Sequence, residues 1–116
     1  MDTETMFAAY VECALWSSLD DQDEPLDAAY DADDIDADSL ASMRDDVDAF
    51  AEANADDLES ISADQAGHDF WLTRNGHGAG FWDRGLGELG DRLTKACRPY
   101  GESYLSVRDD GKVELL

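Results

Sequence analysis

The chain has 116 residues, the length of one domain with a single modest core. Its 29 acids against 8 bases give a formal net charge of −21, which excludes a bare nucleic-acid binder and an anionic-membrane ligand, because both partners would be repelled. Leu, Ile, Val and Phe make up 22 of the 116 residues, at the edge where highly charged chains stay disordered, and three Trp and four Tyr tip the composition toward a folded, Ala-padded domain.

The N-terminus has no basic start and its apolar stretch is broken by Glu12, so no secretory signal is expected, and no run is long enough to span a membrane. Cys13 and Cys97 stand alone, without CxxC spacing, as reduced cytosolic thiols would. The charge is segregated. Residues 20–64 hold 18 acids and only Arg44, whereas residues 65–116 hold 8 acids and 7 bases. The middle third therefore reads as a solvated excursion or as a negative surface meant for a basic partner.

Residues 1–19 predict a helix with Phe7, Val11, Ala14 and Leu15 on one face, Trp16 extending it, and Asp2 or Thr3 as N-cap. Residues 20–37 lack a period, contain Pro25, and predict an acidic connection pinned by Leu26, Tyr30 and Ile35. Asp38 or Ser39 can cap a second helix within an acidic helical region, residues 38–62, whose Leu40, Met43, Val47 and Phe50 form an apolar stripe that packs on the first helix. Leu58 and Ile61 continue it after a break. Asp45, Asp48 and Glu52 run beside the stripe as like charges with nothing near in sequence to neutralise them.

From Gly67 the period changes: His68, Phe70, Leu72 and Arg74 alternate with Asp69, Trp71 and Thr73 up to Asn75-Gly76, a strong hairpin signal. With Asn75 and Gly76 as the turn, Arg74 pairs with His77, Leu72 with Ala79, Phe70 with Phe81 and His68 with Asp83, while Trp71 covers Gly80. Leu86, Leu89, Leu93, Ala96 and Tyr100 then form one helical face, with Glu88–Arg92 and Asp91–Lys95 as i,i+4 pairs. Tyr104–Val107 and Lys112–Leu116 flank Asp109-Asp110-Gly111 as a second hairpin. The expectation is an α+β single domain: an N-terminal helix pair packed with a hairpin–helix–hairpin antiparallel unit over residues 67–116.

The stretch GHDFWLTRNGHGAGFWDRGLGELGDRLTKA, followed by YGE and VxDDGKV, resembles a family of small bacteriophage- and prophage-encoded proteins, and ALWSS and PLDAAYDADDID in the first third are similar too. The resemblance implies a viral or mobile-element origin and carries over no residue role. The chain departs from that pattern in its greater acidity over residues 27–64 and in Ser106 and Arg108, where an aromatic and a small residue are expected. The acidity points to a host living in high salt, such as a haloarchaeon.

His68 and His77 are the residues ready for acid–base work near neutrality, but the hairpin register sets them about 20 Å apart, too far to share a metal. His68 with Asp83 is either a base with its orienting carboxylate or a structural pair. Gly76, Gly78 and Gly80 mimic a phosphate-cradling loop without its lysine, so strand glycines are the simpler reading. Asp34, Asp36, Asp38, Ser42 and Asp45 match part of a calcium-loop template, but its glycine and bidentate glutamate are missing. No metal or other cofactor is expected. Arg74, Arg84, Arg92, Lys95, Arg98 and Arg108 with Phe81, Trp82 and Tyr100 suggest a stacking, phosphate-contacting face, which the overall field opposes.

Three functional classes follow. In the first, Asp33, Asp34, Asp36, Asp38, Asp45, Asp48 and Glu52 form an acidic surface that imitates a row of phosphates and occupies a basic, host-encoded protein in the host cytoplasm. In the second, a halophilic accessory domain binds a protein through an aromatic hairpin of Trp71, Arg74, His77, Phe81 and Trp82, the acids serving only solubility. The third is a small enzyme centred on His68. The first is the favoured expectation.

Overall fold

The computed structural model describes residues 1–76 and 80–116. Helix α1 (Thr3–Ser17) is followed by two 3₁₀ turns, Leu26–Ala28 and Ala32–Asp34, and then by α2 (Ala37–Ala53), one-turn α3 (Ala55–Leu58) and α4 (Ala63–Arg74). A 3₁₀ turn at Phe81–Asp83 leads to α5 (Glu88–Cys97) and a further turn at Arg98–Tyr100. The hairpin β1 (Leu105–Val107) and β2 (Val113–Leu115) closes the chain. The fold is α+β, its antiparallel ladder pairing Leu105 with Leu115, Ser106 with Glu114 and Val107 with Val113.

Asp2 caps α1, its carboxylate accepting from the amides of Glu4 and Thr5. The connection is pinned as its sequence suggests: Leu26 and Ile35 are buried and Tyr30 half-buried. Its end pairs in parallel with the hairpin, the Asp36 amide donating to the Val113 carbonyl at 2.9 Å. Asp36, rather than Asp38 or Ser39, caps α2 by accepting from the Ser39 amide at 2.7 Å. Met43, Val47 and Phe50 are buried as the stripe predicts, and Leu58 continues the core from α3. Trp16 does not extend the buried face of α1; it is more than half exposed.

The main departure lies at residues 67–74, which form α4 rather than the first strand of a hairpin. The alternation that suggests a strand is a helix buried on nearly every side: Ala66, Gly67, Asp69, Phe70, Trp71, Leu72 and Arg74 are all enclosed. Such a helix shows no clear amphipathic period. Ser62 caps it by accepting from the Gln65 amide at 3.2 Å. Asn75 and Gly76 end it, Gly76 taking φ +71° and the Asn75 side-chain amide donating to the Trp71 carbonyl, so an Asn-Gly pair that often turns a hairpin here stops a helix. The expected return strand is also absent where it is described: Phe81–Asp83 is a 3₁₀ turn. His77, Gly78 and Ala79, and with them the Arg74–His77 and Leu72–Ala79 pairings and the middle glycine of the loop motif, lie outside the described residues.

Helix α4 packs chiefly on α1. Tyr10 meets Phe70 at 5.2 Å and Trp71 edge-on at 5.3 Å between ring centroids, and Phe50 of α2 stacks on Phe70 at 4.1 Å. The Trp71 indole donates to Ser17 Oγ at 2.7 Å. Gly67 lets the two helices approach: a Cβ there would collide with the backbone carbonyl of Met6. Gly67→Ala should therefore lower stability by about 1–3 kcal/mol, as forced overpacking does, read as a fall in the urea midpoint. A variant as stable as the parent would contradict the close crossing.

Candidate functional site

Six arginines and two lysines face 29 acids. Five of the six arginines reach across to a carboxylate on another part of the fold. Arg44 of α2 joins Glu4 of α1, Arg74 of α4 joins Asp46 of α2 at 2.8 Å, and Arg92 of α5 joins Asp57 of α3 at 3.0 Å. Arg84 joins Asp69 of α4 at 2.8 Å, and Arg108 joins the α2 cap Asp36 at 2.9 Å.

Arg74, expected on a partner-binding hairpin, is instead buried at a junction of four segments. Its guanidinium donates to Tyr10 Oη (2.9 Å), Asp46 Oδ2 (2.8 Å) and the carbonyls of Tyr100 (2.8 Å) and Gly101 (2.9 Å), within 6 Å of the Phe70 and Tyr100 ring centroids. Trp71 and Phe81 are fully buried as well, so the aromatic surface loses its main members; of those described, Trp82 alone is exposed. Burial made these side chains core residues, and their alternation in sequence carried no sign of it.

The acidic residues divide into two groups. Asp34 closes a capping box with Asp31, Asp36 caps α2 and holds Arg108, and Asp48 pairs with Arg44 at 3.1 Å, contrary to the expectation that nothing neutralises it. These three stabilise local structure. Ser39 and Arg108 hold the Asp36 carboxyl below its ordinary range, the Ser39 hydrogen bonds being the larger cause. Asp38, Asp45 and Glu52 are exposed and have no cationic partner among the described residues; Asp33 is exposed too, before α2 begins. At 100° per residue, Asp38, Asp45 and Glu52 lie within about 40° of one another around α2 and span about 21 Å of its length.

The calcium template does not assemble. Asp36 is occupied by Arg108, and among the described residues no three Asp, Glu, His or Cys side chains are gathered as a metal site.

His68 lies half-exposed on α4 beside the Trp16 ring, in a polar cleft of about 450 Å³ that Glu12, Asp64 and Arg84 also line. The carboxylate nearest its Nδ1 is Asp69, at 3.9 Å, beyond hydrogen-bond reach. Asp69 is fully buried and already accepts two bonds from Arg84 and one from Gln65. The hairpin that would oppose His68 to Asp83 does not form. Burial raises both Cys13 and Cys97 to about 12, so neither thiol is an available nucleophile beside it. The cleft holds an oriented Arg84 and the Ser62 hydroxyl, which caps α4, but among the described residues no hydrogen bonds link a nucleophile, His68 and a carboxylate into a nucleophile–base–orienter chain.

Among the described residues, no helix is long and apolar enough to cross a membrane. No family model, curated protein or solved structure matches the chain.

The buried thiols and Tyr10, whose phenol burial also lifts to about 12, stay neutral in the folded chain while the unfolded chain ionises above about pH 9 to 10. Stability should be complete below pH 9 and decline as pH climbs toward 12. At pH 8, Ellman's reagent should titrate the thiols only after urea unfolding; immediate reaction of either one in the native protein would contradict this burial.

Proposed function

We propose that this chain is a small acidic interaction protein, encoded by a virus or mobile element, that works in the host cytoplasm by occupying a basic protein surface. In this reading the outer face of α2 stands in for a row of phosphates, and the target is a host defence or nucleic-acid-processing protein. One observation carries it: Asp38, Asp45 and Glu52 lie along one face with no cationic partner among the described residues, while five of the six arginines are engaged between elements. Fixed negative charge without internal compensation is available to steer and bind a cationic partner. The resemblance to phage-encoded proteins supports the origin, not the target.

A second reading takes the acidity as salt adaptation alone. It is favoured by exposed carboxylates elsewhere, at Asp21, Asp23, Glu24 and Asp109, which lie off α2 altogether. In molar salt such charges are screened and serve solvation.

Affinity capture from host lysate at the host's own ionic strength, read by mass spectrometry, separates the two. The parent chain should retain a basic protein that duplex DNA displaces, and the triple variant D38N/D45N/E52Q should retain at least about tenfold less of it. Equal capture by the triple variant, or indifference to DNA, would favour salt adaptation and sink the decoy.

A further inference from the structure

Helix α1 has two apolar faces. Met6, Tyr10 and Cys13 face α4 and the core. Phe7, Val11 and Leu15, spaced at four, line a groove between α1 and the segment that follows Pro25; Val11 and Leu15 belong to the core and form its buried floor, while half-buried Phe7 and, on the far wall, Tyr30 are its accessible apolar surface. The groove has a volume of about 530 Å³ and opens to solvent. Its apolar floor is edged by carboxylates from both sides: Glu4 and Glu12 from α1, Asp27 and Asp31 from the facing segment.

We propose that this groove receives a basic amphipathic helix from a partner protein, its apolar stripe on Phe7 and Tyr30 above the Val11 and Leu15 floor and its flanking Lys or Arg side chains on Glu12, Asp27 and Asp31. The dimensions fit. From Glu4 to Leu15 the groove follows α1 for about 16 Å, three turns of a docked helix, whose i, i+3, i+7 side chains match an apolar strip of that length. The rim selects the charge of the occupant. An acidic or neutral helix would desolvate carboxylates on both edges without compensation, whereas a helix with cations on both flanks meets them on both. A second copy of this chain is a poor occupant: it has eight cations in all, five of them arginines already clasping its own carboxylates. Glu4 shares Arg44, which also lies over the Phe7 ring at 5.2 Å, so one end of the groove is held in shape by an internal cation while Glu12, Asp27 and Asp31 have no cationic partner among the described residues. The groove is separate from the outer strip of α2, and the inference stands whether or not that strip mimics phosphates.

The probe is a fluorescein-labelled amphipathic peptide of Leu and Lys, about 14 residues long, with a scrambled peptide of the same composition as control. At 150 mM salt, a buffer choice that screens bare charge attraction to about 8 Å, the amphipathic peptide should bind at least about tenfold more tightly than the scrambled one. Its amide shift changes should centre on Phe7, Val11, Leu15 and Tyr30. Ala8 is exposed on the groove wall, so Ala8→Lys should fold, as circular dichroism will check, and should weaken binding about tenfold. D38N/D45N/E52Q should bind the peptide within about threefold of the parent, which keeps failure of the groove distinct from failure of the α2 decoy. Equal binding of the scrambled peptide, shifts centred on Asp45 and Glu52, indifference to Ala8→Lys, or no binding at about 100 µM would each overturn the proposal.

Discussion

Scarcity of positive charge organises this molecule. With eight cations among 116 residues, a chain that scattered them away from its carboxylates would leave the fully enclosed carboxylate of Asp69 unanswered and the seams between its elements without ion pairs. Instead, arginines join α1 to α2, α2 to α4, α3 to α5 and the terminal hairpin to the start of α2. Arg74 is the deepest of them. Its fork of donors is satisfied by a side chain each from α1 and α2 and by the consecutive carbonyls of Tyr100 and Gly101, and the exposed edge of Asp46 lessens the desolvation that a fully enclosed pair would suffer. Asp69 mirrors it further up the same helix: an enclosed carboxylate held by Arg84 and Gln65. One helix thus carries a buried charge of each sign, each answered from outside the helix or one turn away.

The same arrangement determines what the surface looks like. Acids adopted as caps or clasps, such as Asp2, Asp36 and Asp57, lose their freedom to meet a partner. Those left over are concentrated on the outer side of α2 and on loops, and the groove beside α1 adds an apolar strip between two acidic edges. Both proposed surfaces select cationic partners, one by charge alone and one by charge combined with apolar contact.

How much of this was legible in the sequence depended on whether an element has one buried face. Helices α2 and α5 and the C-terminal hairpin do, and their periods and turn residues gave them away; α1, apolar on two faces, was marked by one of them and by its N-cap. Helix α4 does not. Enclosed by α1 and α2 with the segment around Phe81, it lost the period that would mark it as helical, and Asn75-Gly76 serves a hairpin turn and a helix stop equally well. The signal that distinguishes them was present upstream, where Ser62 and Gln65 have the spacing of a helix-capping pair. The acidic surface was legible as composition only. Some carboxylates are occupied locally, Asp48 by Arg44 at i,i+4, a spacing visible in the sequence; others depend on arginines far away in the chain, Arg108 reaching Asp36 across 72 positions, and no local pattern records those. On α1 the predicted face of Phe7, Val11 and Leu15 is real, but it lines the groove, while Met6 and Tyr10 make the principal seam with α4.

The carboxylates of this chain divide into those that hold the fold and those that do not. Urea unfolding of the parent and of D38N/D45N/E52Q, in dilute buffer and in molar KCl, measures that division directly. The triple variant should be within about 1 kcal/mol of the parent in dilute buffer, since relief of repulsion along α2 offsets the loss of the Asp38 charge from its first turn, and the two should stay close as salt screens the charges. A triple variant less stable by more than this in both solutions would show that these side chains are structural, and the division would fail.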